Sequence, residues 1–227
     1  MRKIFPSELV FQIFALLIAF IIVHAVYVAL IRPNADAFQA AEQERIEQDA
    51  NYEPQRSFYV VVRDFEQEIC FILMFWALSI LGYKAVRIRR QQTQLQLDLV
   101  GLPEGEKVSV ESAEQASSLI RKRLPAESQD YLLSRVMLAA IDRFSATRNV
   151  QDASSVVHTV CDEEAERAES ELSIIRYIAW AIPSVGFIGT VRGIGNALGQ
   201  AHRAVEGDIT GVTQSLGVAF NSTFIAL

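Results

Sequence analysis

The residues with the most chemical content sit in apolar surroundings. Thr190, Asn221, Ser222 and Thr223 put hydroxyls and an amide into two stretches, 182–199 and 211–227, that are otherwise apolar enough for a bilayer. Polar groups at that depth normally face a bundle interior or water, so these four are candidates to line a polar path for an ion. No Asp or Glu lies between Ile174 and Leu198 or between Ile209 and Leu227. The lining is therefore here and the titrating carboxylate must come from elsewhere. The same stretch holds Pro183 and five glycines, Gly186, Gly189, Gly193, Gly195 and Gly199, with Gly217 in the next. Pro and Gly survive in hydrocarbon where neighbouring helices or water satisfy the backbone, and small residues four apart let helix backbones approach closely. These glycines are expected to pack helices, and Pro183 to kink its helix.

Other chemistries find little support. Cys70 and Cys161 give neither a disulfide framework nor a metal spacing. Residues 193–199 lack the spacing and the preceding strand of a dinucleotide loop. No nucleophile stands with a base, so an enzyme is not expected, nor is a cofactor or a bound metal. A net charge of -6 argues against nucleic acid as a partner.

The elements that must hold these residues follow from hydropathy. With 51% hydrophobic residues in 227, the chain reads as an all-α polytopic membrane protein of four transmembrane helices and a cytoplasmic helical domain. Residues 1–32 carry the first span, in which Leu9 to Ile31 is an apolar run broken by Gln12 and His24. His24 is expected near the outer interface in a structural role. Residues 33–68 form an acid-rich outer loop punctuated by Pro33 and Pro54, with a helical stretch from Asp36 to Asp49. The second span, 69–86, is short, and lengthens if Lys84 and the glutamates at its start snorkel outward. Lys84, Arg87, Arg89 and Arg90 beyond it set the orientation, with the N-terminus cytoplasmic in a bacterial inner membrane.

Residues 87–173 are the cytoplasmic domain, interrupted around Gly101 to Gly105 and at Pro125. Tyr131, Leu132, Val136, Met137, Ala140, Ile141 and Phe144 recur at helical spacing and make one apolar stripe. A further helix from about Asp152 carries charge pairs such as Glu163 with Arg167 and runs into the third span, 174–199. An outer turn, 200–210, leads to the fourth span, 211–227, whose apolar end without a cationic anchor is expected to continue.

Residues Ala181 to Ile194 (Ala-Ile-Pro-Ser-Val-Gly-Phe-Ile-Gly-Thr-Val-Arg-Gly-Ile), followed by Gly217 to Leu227 (Gly-Val-Ala-Phe-Asn-Ser-Thr-Phe-Ile-Ala-Leu), closely resemble the paired helices of the MotA/TolQ/ExbB proton channel family. The four-span layout is more similar to the flagellar-stator branch. The resemblance implies a homo-pentameric ring around two copies of a small single-span MotB/ExbD/TolR-like subunit with an intramembrane Asp. It implies a proton-conducting subunit of an ion-driven rotary motor, with a sodium-driven variant as an alternative. Thr190 and Thr223 fall on the family's pore-facing threonines, and Pro183 on the proline that couples protonation to movement. Flagellar rotation, outer-membrane energising, gliding and phage defence of the Zorya type all use such a core. Two positions depart from the pattern: Val218 stands near a glutamate of the TolQ and ExbB branch, and Arg192 replaces an uncharged residue. A central Arg costs about 2.5–3.5 kcal/mol on insertion scales, so Arg192 must find water, a subunit interface or an acidic partner. A structural scaffold that recruits cytoplasmic partners is the reading from another class.

Overall fold

A computed structural model of the chain describes residues 7–48, 52, 55–95, 109–123, 128 and 130–227. Pro54, Gly101 to Gly105 and Pro125, expected as interruptions, lie outside them. The described residues are helical throughout their regular structure, and the chain divides into two compact units.

The first unit, 1–81 with 174–227, holds the apolar elements. Helix α1 (Ser7–Val26) passes through a π turn (Tyr27–Ile31) into α2 (Arg32–Gln48) without a break. Pro33 was expected to punctuate a loop, yet it sits inside this helix, two residues beyond the π turn. A proline lacks the N–H for its carbonyl four residues back and crowds that carbonyl, and a wider turn just ahead relieves both problems. A short helix, α3 (Phe58–Val61), precedes α4 (Phe65–Gln94), whose start takes in Glu66, Gln67 and Glu68. Helices α8 (Ser173–Gly199), α9 (Ala201–Val205) and α10 (Thr210–Ala226) complete the unit, Asp208 accepting from the Thr210 N–H at the entry to α10.

Side chains hold α1 and α4 together. Val23, Tyr27 and Ile72 form a buried cluster flanked by Leu16, Ile31 and Phe71, and the Trp76 indole donates to the Gln12 carbonyl at 2.9 Å. Other faces of the unit are apolar and exposed, including Phe14, Ile18 and Ile22 on α1, Trp180 and Phe187 on α8 and Phe224 on α10. Apolar patches that large mark a surface meant for lipid or other helices. Three runs among the described residues, Glu8–Ile46, Phe65–Gln94 and Val150–Gly199, are long and apolar enough to cross a membrane.

The second unit, 82–173, is a small helical domain. Helix α5 (Val110–Arg123) packs on α6 (Leu132–Thr147) through Ile120 and Leu138, with Leu133, Met137 and Ile141 around them. Met137 and Ile141 come from the expected stripe, whereas its centre shifts to Leu138, because α5 approaches that side. Arg148, at φ 53°, ends α6, and the Asn149 side chain caps α7 (Val150–Glu171) by accepting from the Gln151 N–H. Helix α7 thus starts two residues before Asp152, and a single residue, Leu172, separates it from α8. Arg167 pairs with Glu171, which also takes Lys84 at 2.8 Å, while Glu164 takes Arg135.

Candidate functional site

The candidate site is the seam between α8 and α10. Along α8, Gly186, Gly189, Gly193 and Ala197 are buried at spacings of three and four, and α10 answers with Ala219, Ser222 and Ala226. A Cβ on Gly186 would strike Ala226, one on Gly189 would strike Ser222, and one on Gly193 would lie 2.7 Å from the Ala219 backbone nitrogen. Without side chains at these three positions the two backbones come into direct contact. Gly195, Gly199 and Gly217 differ: among the described residues nothing beyond the glycine's own stretch of helix lies within 4 Å of a Cβ built there.

This close approach brings Thr190 and Thr223 together. Their hydroxyl oxygens are 2.5 Å apart, and Thr190 Oγ1 also donates within reach of the Gly186 carbonyl (3.1 Å) and the Ala219 carbonyl (3.2 Å). Both residues are half-buried. A hydroxyl has one proton and two lone pairs, so this pair can pass donor and acceptor roles between helices. Ser222 is fully buried in the seam, donating to the Val218 carbonyl and accepting from Gln67 at 3.4 Å. Asn221 points elsewhere, into a cleft of about 720 Å³ between α2, the segment 55–64 and α10. Of the four polar residues singled out from sequence, then, two meet, one is locked into packing and one lines a separate space. Pro183 is exposed within α8, and its missing N–H leaves the Ala179 carbonyl without the usual helical donor.

Sequence reasoning missed the groups that hold the charges. Arg192 finds its acid inside the chain: its guanidinium donates to Glu66 at 2.8 Å, with Asp64 3.8 Å away. Glu68 accepts from Arg32 at 2.5 Å and meets His24 Nδ1 at 2.7 Å. Glu66 and Glu68, expected to snorkel outward, are instead 7% and 4% exposed, with Gln67 between them fully buried. The two carboxylates turn inward because the guanidiniums of Arg192 and Arg32 hold them there through charge-assisted hydrogen bonds. His24 thereby joins the polar layer in which Glu68 pairs with Arg32. Two atoms in the buried polar set, Tyr27 Oη and Gln67 Oε1, have no partner among the described residues. Asp64, just ahead of α4, has its carboxyl pushed above the usual range by burial, which outweighs Arg63 and Arg192 beside it. The available signal was the run Asp64-Phe-Glu-Gln-Glu68 directly before an apolar stretch, with Arg32 and Arg192 needing acids.

Residues 128–227 match the model of the MotA/TolQ/ExbB proton channel family, which covers α6 through α10 and the whole seam. Over those residues the chain is similar to membrane proton channel subunits. No curated protein and no solved structure matches the chain.

Proposed function

We propose that this chain, with its residues 128–227 matching a proton channel family, is the ring-forming subunit of an ion-driven rotary motor. In this reading α10 is the fourth span, the N-terminus is cytoplasmic, and five copies surround two partner helices that each carry the ion-binding Asp. The hydroxyls of Thr190 and Thr223 form the polar lining against which that Asp loads and releases its proton. Protonation removes a charge, changes the fit of the partner helix and so moves one component against the other. Pro183, where α8 has lost a backbone hydrogen bond, is where such movement is taken up.

The observation that carries this reading is the meeting of two threonine hydroxyls across a glycine seam, in apolar helices that hold no acid of their own. The test is flux in vesicles reconstituted with the ring and its partner. Thr190→Val and Thr223→Val should each cut proton flux by roughly fivefold or more, as expected for a lost hydrogen bond of about 1 kcal/mol, with assembly intact. Unchanged flux in both variants refutes the lining role. A sodium gradient run in parallel separates the two ions, and a scaffold conducts neither.

A further inference from the structure

The cleft that takes Asn221 is not part of the threonine seam, and polar groups are set among apolar ones along its length. Gln39 comes from α2, Arg63 and Asp64 from the segment before α4, and Thr210, Thr213 and Asn221 from α10. Thr210 opens α10 and Asn221 lies eleven residues along it, so the cleft descends about 16 Å at 1.5 Å per residue. That is about half of a hydrocarbon core roughly 30 Å thick. Arg63 is fixed in the wall by Gln39, Asp36 and Asp64, so the charged lining is structured rather than collapsed. From Asp64 a run of polar groups leads toward the seam. Asp64 faces Arg192, Arg192 holds Glu66, and the Glu66 side chain lies against Gly189 beside Ser222.

We propose that this cleft is a water-filled vestibule that carries hydrated protons from the outer side of the membrane down to Asp64 and Asn221. The inference rests on the orientation given under the proposed function. Apolar lipid tails cannot solvate Asp64 or the Asn221 amide, whereas water can, and a cleft of about 720 Å³ has room for many molecules. The groups facing Asp64 are Arg63, Arg192, Glu66 and Arg32. With three guanidiniums and a second carboxylate around it, this part of the wall is charged and wettable. The vestibule supplies the proton, and the threonine seam with the partner's carboxylate moves it on.

Single cysteines test this in right-side-out vesicles bearing the assembled ring, with exposed Cys161 replaced by Ser and buried Cys70 retained. The probe is a cationic, membrane-impermeant methanethiosulfonate. A thiol reacts as thiolate, which forms only in contact with water. T213C at the rim and N221C at the floor should therefore be modified from outside at rates within about tenfold of each other, and F220C, on the exposed apolar face, at least about tenfold more slowly than either. N221C that resists the cationic probe but takes a neutral permeant maleimide overturns the proposal, since lipid or a neighbouring subunit then fills the cleft. Modification of N221C only from the inner side overturns it as well. Normal proton flux in the Thr190→Val and Thr223→Val proteins defeats the motor reading without touching this result.

Discussion

Arg192 shows how a single residue can govern what surrounds it. A guanidinium this close to hydrocarbon needs an acid, and Glu66, 7% exposed, exists in that position to receive it. Removing one partner of such a pair leaves the other charge stranded, while removing both costs less. Glu66→Gln should therefore lower stability by about 1–3 kcal/mol, at the lower end of what buried pairs cost, because Arg192 is 41% exposed at its side chain. The double variant Glu66→Gln with Arg192→Gln should recover part of that loss. Thermal unfolding in detergent gives the coupling, and additive effects of the two substitutions would show that the pair is not a working contact. At this scale the sequence was half legible. An Arg in an apolar helix announced that a partner was required, but nothing in the acids of 64–68 told which would turn inward, since acids before an apolar run equally well sit in an interface.

At the scale of elements, the glycines of α8 fall into two sets with different duties. Gly193 faces the α10 backbone, whereas Gly195 faces open space beside this chain. Gly193→Val should force α8 and α10 apart at a cost of about 1–3 kcal/mol, typical of overpacking, and loosen the contact between Thr190 and Thr223. Gly195→Ala should leave the single chain's fold intact and favour its helix by up to about 1 kcal/mol. If Gly195 serves a subunit or partner contact, the same change shows up as a loss of assembly in size-exclusion chromatography, with helicity by circular dichroism unchanged. Elements with strong periodicity or long apolar runs, α1, α4, α6 and α8, were readable from sequence. Helix α5 was not, because among its described residues the buried face is made chiefly of small ones, Ala113, Ala116 and Ser117, beside Ile120. The π turn was equally hidden, since Pro33 reads as an interruption unless one knows that the preceding turn can widen.

For the molecule as a whole, the distribution of acids sets what it can do alone. The apolar parts of α8 and α10 contain no carboxylate, and of the acids around the start of α4, Glu66 is engaged by Arg192 and Glu68 by Arg32 with His24. In the proposed ring these two helices give a crossing proton no group that can release it, and the partner must supply one. The chain reconstituted without its partner should give proton flux indistinguishable from empty vesicles, and adding a single-span partner with an intramembrane Asp should restore it, while the Asp→Asn form of that partner should not. Flux from the chain alone would place the carrier within it and return attention to Glu66.

The π turn at Tyr27–Ile31 has one more consequence. Ala15, Ala19 and Val23 before it and Tyr27, its first residue, are buried at every fourth position, and the buried positions after it include Ala35 and Glu42. A four-residue recurrence in a 3.6-residue helix precesses around the axis by about 40° at each step, and a wider turn winds part of that precession back. The extra residue is thus an angular setting more than a length. Deleting one amino acid there would swing the rest of the helix by about 100° and present Glu42 to the wrong neighbour, although the rod would be scarcely shorter.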